Sequence, residues 1–322
     1  MREITGRFGN WQPFGNRHWS PNKQLRGEGM KKIGSVLVGL LLLFLWVGAA
    51  QAEIKIGVLA KRGAIKAMTK WQATGDYLAD KLGEPVVVIP LNFSAIEPKV
   101  KSGEIDFLLA NSAFFVEMEK KYGTKAVATL INSRDGKALK EFGGVILVRA
   151  DSPIRTLADI RGKKFMCVKY SSFGGAHMAW RLLLDNGIDP EKDFALFAEG
   201  KKHDNVVLAV QNGVMDAGTV RSDTLERMAG EGQINMTDFR IINQVNDDFP
   251  FVHSTRLYPE WPMAALAHID DAKAAKVGEA LRAMRSDDAA AKAAKVVGGD
   301  AAADYGPVRD CLMAIKYGVF AN

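Results

Sequence analysis

The chain has 322 residues, 48% of them hydrophobic and 25% charged, an ordinary globular composition with room for two domains. Its formal charge of +6 sits in the leader: residues 1–52 hold seven Lys/Arg against two Asp/Glu, which leaves the remainder near neutrality. That remainder has no basic stripe interleaved with aromatics, which excludes nucleic acid as a partner.

Residues 1–29 are polar, rich in Gly, Asn and Trp, and without period; they read as an extension upstream of a true start at Met30. Met30-Lys31-Lys32 is a positive n-region, 33–47 an apolar core, and Ala50-Gln51-Ala52 a small-residue cleavage site. Residues 30–52 therefore predict a signal peptide, export to the periplasm and a mature start at Glu53. The alternative is a retained anchor, for which the core is short. No cysteine at the cut offers a lipid attachment. Cys167 and Cys311 read as two unpaired buried thiols, and no Cys/His spacing suits zinc or any other cofactor.

From Glu53 onward strands and helices alternate. Alternating apolar residues predict a strand over 54–59, followed by a Gly-containing loop with Lys61 and Arg62 and a helix over 65–82. A buried strand follows at 86–89, a short helix at 94–101, a strand over 105–110 that ends at Asn111-Ser112-Ala113, a helix over 114–122 and a strand over 126–131. The second half repeats the scheme, with strands over 144–149, 165–168, 194–197, 217–220, 239–245 and 262–266. Helices are expected at 177–184, 205–212 and 224–228, then two Ala-rich ones over 271–297 and 307–317. This is an α/β pattern of mostly parallel sheets flanked by helices. Ligands of such sheets sit at the carboxyl ends of strands.

One of these ends stands out. Tyr170-Ser171-Ser172-Phe173-Gly174-Gly175 joins a strand to a helix. Small hydroxyl and glycine residues there leave the first helical N–H groups uncovered, and with the helix dipole they make an anion site. Thr219-Val220-Arg221-Ser222 leaves another strand end.

Several phrases together carry a resemblance: Ile105-Asp106-Phe107 with Asn111-Ser112-Ala113; 157–164; Tyr170–Gly175; His203 with 209–218; and Tyr258-Pro259-Glu260-Trp261-Pro262. The chain resembles the phosphate/phosphite/phosphonate-type periplasmic solute-binding proteins of ABC transporters. Its run 253–262 is similar to the relatives that form the periplasmic sensor domain of tetrathionate-type histidine kinases. The resemblance implies a type II periplasmic-binding-protein-like clamshell of two lobes, joined by two crossover strands near 142–145 and 249–255. Lobe one would comprise 53–143 and 253–322, and lobe two 144–252. It implies a monomer that closes on a small anionic solute and reports to an ABC permease or to a separately encoded sensor histidine kinase.

Candidate ligand-binding residues are Tyr170, Ser171, Ser172 and Phe173 at the glycine turn, Asn111 and Ser112 from the first lobe, and Arg62, His203, Thr219 and Arg221 as further donors or charges. An aminoalkylphosphonate needs carboxylates for its amino group. Phe173-Gly174-Gly175 and Lys61-Arg62 favour an anion without one, such as a phosphite-like or sulfur oxyanion. Catalysis is disfavoured: there is no Gly-x-Ser-x-Gly elbow, no dinucleotide fingerprint and no ordered triad, which leaves a hydrolytic enzyme as a minor alternative.

Overall fold

The structure, a computed structural model, describes residues 53–134 and 136–321. The predicted signal peptide, the extension before it and the alternative of a retained anchor lie outside these residues. Among the described residues no helix is long and apolar enough to cross a membrane.

In chain order the strands are β1 (Ile54–Leu59), β2 (Val86–Leu91), β3 (Phe107–Leu109), β4 (Lys125–Arg134), β5 (Lys137–Leu139), β6 (Glu141–Phe142) and β7 (Gly144–Arg149). They continue with β8 (Lys164–Cys167), β9 (Leu196–Glu199), β10 (Ala217–Arg221), β11 (Phe239–Ile242), β12 (Tyr258–Pro259), β13 (Pro262–Ala265) and β14 (Val296–Asp300). Among the described residues they form a seven-stranded sheet, β14-β4-β13-β3-β1-β2 with β5 on β4, and a five-stranded sheet, β11-β7-β10-β8-β9. Helices flank both, which is the two-lobed α/β architecture expected.

Both sheets are mixed. β1 pairs in parallel with β2 and β3, and β8 with β9 and β10. The strands that enter each sheet from the other, β7 and β13, run antiparallel to their neighbours. A chain that leaves one sheet at its ligand end must enter the next from that end, so the returning strand points the other way. The two crossing segments pair as β6 and β12, with Tyr258 opposite Phe142.

The crossing is clamped by side chains. Thr255 Oγ1 accepts from the Gly144 N–H at 2.9 Å and Ser254 Oγ from the Ile146 N–H at 2.8 Å. His253 is buried between the Thr255 carbonyl and Asp247. These residues therefore tie the returning segment to β7.

One predicted helix is broken. The span 271–297 resolves into helices Asp271–Ala283 and Ala289–Ala294 and then β14. Asp288 sits extended as the second helix's N-cap, and beyond it the β-branched Val296 pairs with Asn132 at the edge of β4, with the register shifting before Gly298. Cys167 and Cys311 are both free and buried.

Candidate functional site

The carboxyl ends of β1, β3, β8 and β10 face one pocket, closed on the crossover side by Trp261. Both sheets contribute, as ligand placement at the carboxyl ends of strands requires.

The charge of the pocket is organised around Arg221, the last residue of β10 and only 5% exposed. Its Nη2 donates to Glu260 Oε1 at 2.5 Å and its Nη1 to Oε2 at 3.4 Å, while Nε lies 3.6 Å from Asp223 Oδ1. The guanidinium carbon stands 4.2 Å from the Phe142 ring centroid. Burial works against this charge, but Glu260 and Asp223 outweigh it and hold the Arg221 pKa above its ordinary value. Asp223 is also engaged by Arg134, whose Nε donates to Oδ2 at 2.6 Å. Burial opposes ionisation of Asp223, yet Arg221, Arg134 and Lys61 overcome it and bring its pKa down to about 2.

Two ammonium groups complete the set. Lys61 Nζ lies 5.0 Å from the Trp261 ring centroid and Lys70 Nζ 4.6 Å from that of Trp71. Desolvation, then the charge of Arg221, lowers the Lys61 pKa to about 7. Desolvation and the charges of Arg134, Lys61 and Arg221 likewise push Lys70 well down. Four basic side chains thus surround two carboxylates; the two arginines balance the carboxylates, and the set is positive when the lysines are protonated.

Neutral donors face the same space. Phe173–His177 forms a π-turn that runs into the helix Met178–Asp185. Ser172, Phe173 and Gly174 all line the pocket. Among the described residues nothing accepts the N–H of Phe173 or Gly174. The Phe173 ring is fully buried, edge-on to Tyr258 at 5.0 Å and to Phe142 at 6.1 Å, so its contribution to the pocket is its backbone. Burying that ring is worth about 1.5–3 kcal/mol and pins the turn to the crossover.

His203 opens the helix His203–Gln211, and its Nδ1 accepts the Arg221 N–H at 3.3 Å. Desolvation, reinforced by Lys61 and Arg221, holds its pKa far below the usual value, so the ring is neutral. With Nδ1 an acceptor, Nε2 carries the proton and is a donor. Asn111 Oδ1 caps the helix Ser112–Tyr122 by accepting from Ala113 N and Phe114 N at 3.1 and 3.2 Å. Its amide nitrogen remains for the pocket.

Of the residues expected from sequence, Asn111, Ser172, Phe173, His203 and Arg221 meet at the pocket. The others are placed elsewhere. Ser112 Oγ donates to the Pro259 carbonyl at 2.7 Å and braces the crossover. The Tyr170 hydroxyl donates to the Phe197 carbonyl at 2.9 Å, on the outer face of β9. Ser171 is half-buried one residue short of the lining, and Thr219 is buried inside β10 with its hydroxyl unpartnered among the described residues. Arg62 reaches across to Asp204 at 3.4 Å, a carboxylate that Arg227 also engages. Lys61, Lys70, Arg134 and Trp261 were not among the expected ligand residues. Only Lys61, in the loop after the first strand, had a visible signal.

The neighbours Asn111 and Ser112 separate two roles. Ser112→Ala should cost about 0.5–1.5 kcal/mol of stability and leave anion affinity unchanged. Asn111→Ala should lose a cap worth about 1 kcal/mol and weaken anion binding as well. Chemical denaturation with calorimetry on both variants measures this, and equal affinity losses would show that the two roles are not distinct.

The family model "ABC transporter, phosphonate, periplasmic substrate-binding protein" matches residues 56–308. The tetrathionate sensor histidine kinase of Salmonella typhimurium is 34% identical over 260 residues, covering 80% of this chain and 43% of that protein. The chain thus spans less than half of that relative's length. Among solved structures, PhnD1 of Prochlorococcus marinus in complex with methylphosphonate superposes with a TM-score of 0.64 at 15% identity, covering 81% of this chain and 97% of that one. A binding-protein component of an ABC phosphonate transporter from Pseudomonas aeruginosa gives a TM-score of 0.66 at 15% identity, with 83% and 87% covered. At these identities the likeness is one of fold.

Proposed function

The chain belongs to the phosphonate-binding family of periplasmic substrate-binding proteins of ABC transporters, and from that premise we propose that it captures a small oxyanion between its lobes and delivers it to an ABC permease. Residues 53–143 with 253–322 form one jaw and 144–252 the other. The reading is carried by one observation: a pocket shared by both sheets is lined by Lys61 and Arg221, with Lys70 and Arg134 in electrostatic reach of them and the N–H donors of Phe173 and Gly174 on residues of the same lining. Asp223 and Glu260 are already engaged by arginines, so no free carboxylate awaits an amino group. This favours phosphite-like anions, simple alkylphosphonates or sulfur oxyanions over aminoalkylphosphonates. The role is binding rather than hydrolysis, because His203 presents a proton and offers no free lone pair to activate Ser172.

A second reading has its own support. The 34% identity to a tetrathionate sensor kinase is about twice that to the phosphonate-binding structures. On this reading the same pocket loads a module that signals to a separately encoded histidine kinase.

Thermal-shift screening of the purified protein against phosphite, methylphosphonate, 2-aminoethylphosphonate, thiosulfate and tetrathionate tests the ligand class. A ligand present at a hundredfold over its Kd adds about 2.7 kcal/mol of stability. Stabilisation by the aminoalkylphosphonate alone would overturn the assignment. Pull-down of a permease against a histidine kinase, with and without the ligand found, separates the two readings.

A further inference from the structure

Lys61 and Lys70 are built differently from the other basic groups of the pocket. Arg134 and Arg221 each sit on a carboxylate, whereas among the described residues no carboxylate oxygen lies within 4 Å of either lysine nitrogen. Each ammonium instead stands over a tryptophan face. Lys169 and Lys273, equally half-buried, meet Glu199 and Glu84 at 3.1 and 2.7 Å. The loop after β1 thus brings one unpaired lysine into the pocket lining, and the helix Ala64–Leu82 carries a second within electrostatic reach of it. A tryptophan ring holds an ammonium by its quadrupole but does not neutralise it. The counter-charge must come from what binds.

We propose that Lys61 and Lys70 make the pocket selective for doubly over singly charged oxyanions of similar shape. This deepens the reading of the pocket as an anion site and rests on it. The charges that face Lys61 are Arg221, Asp223, Arg134 and Glu260, and those that face Lys70 are Arg134, Lys61, Arg221 and Glu260, with neutral His203 beside Lys61. The two carboxylates are spent on the arginines, so a dianion offsets the charge of both lysines where a monoanion offsets one. Burial, then the neighbouring positive charges, lowers the pKa of each lysine, and an anion bound beside them would raise it.

The test uses thiosulfate and methanesulfonate, a dianion and a monoanion whose charges are constant across neutral pH. Calorimetry at about pH 6, where Lys61 is charged, should show thiosulfate at least about tenfold tighter. Lys61→Gln and Lys70→Gln should each weaken thiosulfate about tenfold or more, and methanesulfonate less than about threefold. Raising the pH to about 8.5 should weaken thiosulfate in the wild type and do so far less in Lys61→Gln. Neither variant should melt below the wild type, since each removes a desolvated charge; a lower melting temperature would mean that the lysine supports the fold. Equal losses for both anions, or a wild type that does not discriminate, would overturn the charge selection alone. A wild type that binds none of the anions in the wider screen would overturn the anion site itself, and this inference with it.

Discussion

Arg221→Met should cost about 3–5 kcal/mol of folding stability and abolish anion binding. The reason is Glu260, which is fully buried and receives both Arg221 amino groups. Remove the guanidinium and the carboxylate stays behind in a place water does not reach. Its backbone cannot retreat, because the Glu260 carbonyl accepts from the Tyr305 hydroxyl at 2.9 Å and the Glu260 N–H donates to the Lys140 carbonyl. The double variant Arg221→Met with Glu260→Gln removes both charges, and should regain much of the stability but none of the binding. Urea denaturation of the three proteins, with calorimetry of anion binding, measures the cycle. A single variant as stable as the wild type would mean that Glu260 finds another partner, and that Arg221 is there for the ligand alone.

The parts of this site that were legible in the sequence are those set by local rules. A strand running into Ser-Ser-Phe-Gly-Gly and then a helical pattern announces uncovered amides, and Phe173 and Gly174 line the pocket. Arg221 and His203 were visible as charges at the edges of elements. What was not legible is parity and reach. Thr219 and Arg221 share one face of β10, but a residue two positions back lies roughly 6.6 Å deeper in the sheet, so only Arg221 arrives at the strand end. Asn111 and Ser112 differ by one step of a helix start, which aims one side chain along the helix and the other at the crossover. Lys70 and Arg134 lie on a 19-residue helix and a 10-residue strand from different parts of the chain. Only tertiary packing carries them to Arg221. β14 shows the same limit, since an Ala-rich run gives no sign that Val296 will pair with Asn132.

Gly174→Ala should cost about 1–3 kcal/mol of stability, and with it about tenfold or more in anion affinity. A methyl group on Gly174 would stand 2.7 Å from the Phe142 ring and 2.9 Å from Arg221 Cβ, closer than side chains approach. Phe142 is fully buried in the crossover and also carries the Arg221 guanidinium on its face, so it cannot swing aside without moving the charge. The turn must instead back away, and the N–H groups of Phe173 and Gly174 go with it. Retreat is itself opposed, because the Val168 N–H donates to the Gly175 carbonyl at 2.9 Å and Gly175 has Val168 behind it at a distance that admits no Cβ. Gly230→Ala is the control: it ends a helix, has nothing within 4 Å of a new methyl, and should be neutral or stabilising by up to about 1 kcal/mol. Stability and binding should fall together in the first variant because one displacement causes both. If Gly174→Ala lost stability yet bound the anion as the wild type does, the amides of this turn would not be ligand groups, and the positive side chains alone would have to hold the solute.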